Sequence, residues 1–169
     1  TKLVPAKNGK PTIRRERKVS PRTANEHEFF VIDCVNWVNV IALTPAREMI
    51  LVEQYRHGSN TVELEIPGGM MDAEDASPEA TAARELREET GYVGSNARVI
   101  GKVFPNPAIM SNICYTVLIE HCECKHATEF DHGEDLMTRL VPAAEVPAPA
   151  ELRRTDGERP IRHLRRAGP

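Results

Sequence analysis

Cysteines, aromatic side chains and long apolar runs are all scarce in this 169-residue chain. Its four cysteines (Cys34, Cys114, Cys122 and Cys124) do not make a disulfide scaffold, because a chain this long builds a core without staples; reduced thiols are expected. No apolar run approaches the roughly 20 residues of a membrane span. No hydrophobic segment follows the basic N-terminus as it would in a secretory signal. A soluble, cytoplasmic protein without a membrane partner is therefore expected. Aromatics make up 5% of the chain, so the single tryptophan, Trp37, reads first as core packing. Repeats and low-complexity tracts are absent, and the length suits one globular domain.

What is plentiful is charge, unevenly placed. Residues 1–22 carry eight Lys/Arg and one Glu, and residues 152–169 carry six Arg with one Asp and one Glu, which leaves residues 23–151 at about −14. An acidic middle recruits cations rather than a nucleic-acid backbone. The basic ends either grip phosphates or are solvated tails. The chain accordingly divides into a basic N-terminal arm (1–25), a domain (26–147) and a basic C-terminal tail (148–169).

Within the arm, Pro11-Thr12-Ile13 offers the start of a short edge strand. "FFVIDCVNWVNVIAL" (29–43) is rich in β-branched and aromatic residues, "TPARE" forms a turn, and "MILVEQYR" resumes a strand, which reads as a hairpin. In "VELEIPGG", Val62, Leu64 and Ile66 fall on one face and Glu63 and Glu65 on the other. This predicts a half-buried strand with two glutamates pointing out of the core. A helix is predicted from Ser77 as N-cap and Pro78 at its first position, with Glu79 complementing the dipole and Gly91 closing the end. Ala83, Leu86 and Thr90 form its sheet-facing stripe. "ARVIGKVF", "ICYTVLIEHCEC" and "LMTRLVP" are further strands, with "PNPAIMSN" a loop. Several strands and one confident helix imply an α+β layered domain.

On that helix Glu85, Glu88 and Glu89 stand at i, i+3 and i+4 and share one face. Three carboxylates around one concave site call for a compensating cation, and hard oxygens select Mg²⁺ or Mn²⁺. The same face also reads as a solvated one in which Arg84 and Glu88 pair.

The stretch from Gly69 to Tyr92 resembles the signature of the Nudix hydrolases, G-x5-E-x7-R-E-U-x-E-E-x-G-U, where U is bulky and apolar. "RELREETGY" (84–92) fits the second half at every position. The first half departs from the pattern: counting from Gly69 the acid falls on Asp75, and eight residues rather than seven precede Arg84. Glu74 or Asp75 thus replaces the expected glutamate in a loop one residue longer. "WVNVIALT", "LVEQYRHG" and "ELEIPGG" extend the resemblance over roughly residues 28–146.

The resemblance implies an α/β/α sandwich with a mixed β-sheet and a characteristic loop-helix. It implies Mg²⁺ (or Mn²⁺) bound by Glu85, Glu89 and the Gly68 carbonyl, Glu88 ligating a further ion or orienting a water, and Arg84 holding the carboxylates. In the branch that cleaves ADP-ribose, a glutamate before the final strand serves as general base, which here is Glu134, with Glu129, Asp131 and Asp135 nearby; the loop also reads as simply solvated. "EIPGG" and Pro107, sixteen residues beyond Gly91, are similar to that branch. In that branch Arg56 lies near bound phosphate or ribose, though it also suits a pairing with Glu53 or Glu63; Glu65 reads as facing the ligand or as unpaired surface, and Trp37, with Phe29 or Phe30, as stacking on adenine or packing the core. Relatives are commonly dimers that sometimes exchange N-terminal segments, so a homodimer is an expected partner besides a small-molecule nucleotide.

These readings predict a Mg²⁺-dependent pyrophosphohydrolase acting on ADP-ribose or a related nucleotide sugar. The competing readings are cleavage of nucleoside triphosphates or dinucleoside polyphosphates, and a non-catalytic nucleotide-sensing module. Cys122, Cys124 and His126 alternate along one strand but lack the C-x2-C spacing of common zinc sites.

Overall fold

The computed structural model describes residues 11–146, which form nine strands and one helix in three packed pieces. β1 (Thr12–Val19) and β2 (Glu26–Asp33) pair antiparallel as a two-stranded ribbon. β3 (Trp37–Ala42), β6 (Gly68–Met70), β7 (Tyr92–Val103) and β8 (Cys114–Cys124) form a mixed sheet in the order β6-β3-β8-β7, with β3 and β8 parallel. β4 (Glu48–Arg56), β5 (Thr61–Glu65) and β9 (Leu136–Pro142) make an antiparallel sheet in the order β5-β4-β9. Helix α1 (Pro78–Thr90) touches both larger sheets. The α+β class and mixed sheet are as expected; α1 is the one helix among the described residues. The tail at 148–169 lies outside them.

The helix forms where its local signals place it. Ser77 is extended, its Oγ accepts the Ala80 N–H, and Gly91 (φ 74°) turns the chain out through a left-handed residue. Its apolar stripe is shifted by one position from the expected one: Ala82, Leu86 and Thr90 are buried, whereas Ala83 is exposed. Ala82 and Leu86 pack on Val38 and Val40 of β3, Val117, Ile119 and Cys122 of β8, and Ile50 of β4.

Three strand expectations are corrected. Residues 29–43 are two strands, broken at 34–36 and belonging to different pieces. The expected β3–β4 hairpin has no strand ladder; it closes through a Leu43–Met49 bridge and the hydrogen bonds of a tight turn between Thr44 and Glu48, after which the chain passes from one sheet to the other. On β5, Val62 and Leu64 are the exposed residues. The glutamate face is the more covered, because Ser59, Thr61 and Arg56 hold Glu63 and Glu65. The arm continues beyond Ile13 as a full strand to Val19, and the 25/26 boundary falls beside the ribbon's turn. The cysteines are free, as expected, and no helix among the described residues is long and apolar enough to cross a membrane.

Leu86 is 1% exposed at the centre of the helix–sheet contact. Leu86→Ala should cost about 2–5 kcal/mol, read as a lower urea midpoint with an unchanged slope.

Candidate active site

β5 delivers the chain to Pro67, β6 crosses beside β3, and a seven-residue loop leads into α1. Two glycines let backbone and carboxylate approach here. A Cβ on Gly68 would overlap the Val38 carbonyl, and one on Gly69 would overlap the Glu85 carboxylate. Glu89 is 6% exposed and its Oε2 accepts the Gly68 N–H at 3.1 Å. Burial pushes Glu89 up to about 8, with the Gly68 N–H opposing and the charges of Glu85 and Glu134 adding. Burial likewise pushes Glu85 up to about 7 against the pull of Arg84.

Arg84 organises the acids. Its Nε and Nη2 meet Asp75 at 3.3 and 2.9 Å, Nη2 also donates to the Met70 carbonyl at 3.1 Å, and Nη1 lies 3.0 Å from both Glu85 and Glu88. This forked pairing raises the arginine further and holds Asp75 down at about 2. The pairing of Arg84 with Glu88 on the helix face is therefore present, but as one arm of a larger cluster. The other Glu88 oxygen takes Arg87 Nη2 at 3.3 Å, and Arg87 Nη1 reaches Glu129 at 3.1 Å.

Of the remaining expected residues, Glu134 stands just ahead of β9, and its charge adds, behind larger causes, to the upward push on Glu85, Glu89 and Arg56. Its Oε2 accepts the Asp131 N–H at 3.0 Å. Arg56 pairs with Glu65 through two bonds, Nε at 3.0 Å and Nη2 at 2.8 Å, rather than with Glu53 or Glu63. Glu53 goes to Arg139 instead. Trp37 begins β3 opposite Met70 and Cys114, half-buried, and no contact among the described residues joins it to the carboxylates. Phe29 and Phe30 stand exposed on the ribbon. The Gly68 contact that the structure shows is made by its N–H.

Asp75 and Arg87 were not singled out as partners in the sequence. The signal for Asp75 was the altered spacing before Arg84. The Cys122, Cys124 and His126 set does not assemble: Cys122 is buried in the core with its thiol pushed up to about 11, while Cys124 is exposed. A cavity of about 240 Å³ beyond the C-terminal end of β3, lined by Thr44, Arg47 and His121, holds none of the site carboxylates.

Two desolvated carboxylates on hard oxygen donors, short of positive charge, fit a divalent cation such as Mg²⁺. Among the described residues no three acidic, His or Cys side chains already converge as a ligand set, and Arg84 Nη1 stands between Glu85 and Glu88. The donor chemistry fits; binding would redirect Glu88 from its arginines.

A single helix clamped between two sheets, its acid-bearing turn facing a two-glycine strand, defines the class of α+β domains built around a carboxylate cluster. A model of the NUDIX domain matches residues 36–164, and the chain belongs to that family. It is 35% identical over 98 residues to an ADP-ribose pyrophosphatase of Bacillus subtilis, covering 57% of this chain and 52% of that protein. It is 36% identical over 88 residues to an ADP-sugar pyrophosphatase of Mus musculus, covering 52% and 40%. The chain thus matches about half or less of the length of these relatives. A solved ADP compounds hydrolase shares the fold, with a TM-score of 0.64, 20% identity and 83% of each chain covered.

Glu85 and Glu89 each bind a proton more tightly in the folded chain than at the ordinary 4.5, so the folded state holds more protons between that value and 7 to 8. In metal-free protein, the stability these two groups contribute is fully present below about 4.5 and is lost as pH rises through 7 and 8, by on the order of a few kcal/mol, while that from Asp75 is lost only on acidification from 3.8 towards about 2. Thermal midpoints at pH 5 to 8 check this. Glu89→Gln should flatten the fall, and Mg²⁺ should raise the midpoint more at pH 8 than at pH 6.

Proposed function

We propose that this domain is a Mg²⁺-dependent pyrophosphohydrolase. Its substrate is a nucleoside diphosphate linked to another moiety, ADP-ribose or a related nucleotide sugar, and one product is a nucleoside monophosphate. The observation that carries the reading is the buried carboxylate of Glu89 beside the half-buried one of Glu85, both packed against the Gly68-Gly69 backbone with less positive charge than they need. The names of the relatives support the substrate class.

Glu85, Glu89 and the Gly68 carbonyl would hold the cation, with Glu88 ligating a second ion or orienting a water. When bound, the cation neutralises phosphate oxygens and lowers the pKa of water, which supplies most of what pyrophosphate cleavage requires. The chain's own groups do the rest. Arg84 keeps the carboxylates apart and in place. Arg56 spends its Nε and Nη2 on Glu65, which fixes its plane and leaves Nη1 for a substrate phosphate. Trp37 is assigned to adenine stacking. Glu134 is assigned the proton that a water loses as its oxygen adds to one phosphorus and the bridging P–O bond breaks. The balanced products from ADP-ribose are AMP and ribose 5-phosphate.

The β1–β2 ribbon supports a homodimer. Among the described residues it packs on no other strand or helix to any extent, touches the body through Ile32 against the 109–111 segment, and exposes Ile13, Val19, Phe29 and Phe30. A lone two-stranded ribbon is marginal in water. Sedimentation should give twice 18.9 kDa, reduced to a monomer by Phe30→Asp. A monomeric parent chain would remove the dimer from the reading.

The activity is tested by offering ADP-ribose, NADH, sugar nucleotides, diadenosine polyphosphates and nucleoside triphosphates with Mg²⁺ or Mn²⁺. ADP-ribose should yield AMP and ribose 5-phosphate, and Glu89→Gln should lose at least about 100-fold in kcat without losing its fold. Selective cleavage of the triphosphates or dinucleoside polyphosphates would move the substrate. Binding without turnover would make the domain a sensor, a reading favoured by the arginine-held Glu88. Turnover surviving excess chelator would overturn the metal mechanism.

A further inference from the structure

At Asp75 the chain departs from the family signature in two ways at once. The acid is one methylene shorter than glutamate, and eight residues instead of seven separate it from Arg84. In the structure both departures meet in one contact. Asp75 accepts Arg84 Nη2 at 2.9 Å and Nε at 3.3 Å, the Thr81 hydroxyl at 2.9 Å and the Asp72 N–H at 3.0 Å. Of the loop's other two acids, Glu74 is exposed and makes no hydrogen bond or ion pair among the described residues, and Asp72 is a more exposed and more distant partner of Arg84, 3.6 Å from the Nη2 that Asp75 holds at 2.9 Å.

A guanidinium is planar, so holding one edge fixes where the remaining nitrogen points. With Nε and Nη2 held by Asp75, Nη1 alone faces the site, and it meets Glu85 and Glu88 at 3.0 Å each. Thr81 is wholly buried one turn before Glu85, so its hydroxyl ties the Asp75 carboxylate to the same helix that carries the site acids. An aspartate reaches less far than a glutamate by about one C–C bond, roughly 1.5 Å. One extra residue gives the loop the slack to bring the backbone at position 75 that much closer.

We infer that Asp75 is a positioning residue matched to the extra residue at Ala76. Together they set the plane of Arg84, and through its Nη1 the positions of Glu85, a ligand of the cation on the reading above, and of Glu88, which that reading gives to a second ion or a water. The inference rests on the metal-site reading above, while its own content is the coupling between loop length and acid length. Removing Ala76 and changing Asp75→Glu restores the seven-residue spacing and the longer acid together. Either change alone leaves a carboxylate of the wrong reach.

The test compares the full chain with Asp75→Asn, Asp75→Glu, deletion of Ala76, and the combination of the last two, each checked for fold by circular dichroism. Mn²⁺ binding is read by the electron paramagnetic resonance signal of free Mn²⁺, alongside kcat and KM on whichever compound the parent cleaves. Each single change should weaken Mn²⁺ binding and lower kcat by about 10-fold or more, as loss of a ligand-orienting partner does, with KM moving less. The combined variant should return to within about 3-fold of the parent, a non-additivity that two independent sites would not show. Thr81→Val, which leaves every charge in place, should give a smaller loss in the same direction and serves if Asp75→Asn unfolds. Parent-like Mn²⁺ binding by Asp75→Asn, or a combined variant no better than the worse single change, overturns the inference. A parent that binds Mn²⁺ but cleaves nothing defeats the proposed activity and leaves the Asp75 comparison readable. A parent that binds no Mn²⁺ defeats both.

Discussion

The rest of this structure is arranged around the burial of two carboxylates, Glu85 and Glu89, on consecutive turns of one helix. Taking a carboxylate out of water costs several kcal/mol after relaxation, and two within the same cluster add mutual repulsion. The compensation in place is partial. Glu89 receives one backbone N–H from Gly68, and Glu85 receives one guanidinium nitrogen that it shares with Glu88. That Glu85 and Glu89 remain pushed up to about 7 and about 8 shows that burial wins over these partners. Such a site persists only because something else holds the helix down. That something is the other face of the same helix, where Ala82 and Leu86 are buried against β3 and β8. Apolar burial on one side of α1 therefore sustains electrostatic strain on the other.

The two sheets divide this labour. The mixed sheet supplies the apolar floor through Val38, Val40, Val117 and Ile119. It also supplies β6, whose glycines let the strand lie against Val38 and against the Glu85 carboxylate without a side chain intervening. The antiparallel sheet carries the Arg56–Glu65 pair on β4 and β5, and Glu134 stands just ahead of β9. Because the β3–β4 connection is a tight turn rather than a hairpin ladder, the chain changes sheets within a few residues. Both sheets then reach the helix from different sides.

The parts legible in the sequence were those decided locally. Ser77, Pro78 and Gly91 bound the helix by capping chemistry that needs no tertiary partner, and the spacing of Glu85, Glu88 and Glu89 follows from helical geometry alone. What misled was any question of which face is covered. Alternation along β5 correctly separated Val62 and Leu64 from Glu63 and Glu65, but period two does not say which side meets the core. Here hydroxyls and Arg56 cover the acids. The helix stripe slipped from Ala82 to Ala83 for a related reason: neighbouring alanines differ in direction, not in chemistry. The break at 34–36 carries no glycine or proline, so a run of strand-forming residues hid two strands. Asp75 was visible only as an irregularity of spacing, since its role is a contact with a residue nine positions away.

Glu88 shows why an arginine-rich rim and a cation site are compatible. Without a metal, each Glu88 oxygen has a guanidinium partner, Arg84 on one side and Arg87 on the other. Those pairs are partly exposed and individually weak, worth about a kcal/mol or less each. On the proposed reading, a divalent ion beside the buried Glu89 and half-buried Glu85 would carry twice the charge of either arginine in a drier place and would compete well for the same oxygens. Arg84 need not leave when that happens. Its Nε and Nη2 stay on Asp75 and its Nη2 on the Met70 carbonyl, so the arginine gives up only its Nη1 contacts. Arg87 keeps Glu129, and Glu129 is bonded through its own N–H to the Glu88 carbonyl. The segment that carries Glu134 thus stays anchored to the helix end while the Glu88 side chain turns. On the proposed reading, the rim that holds the acids in register would release one of them to an ion at small cost.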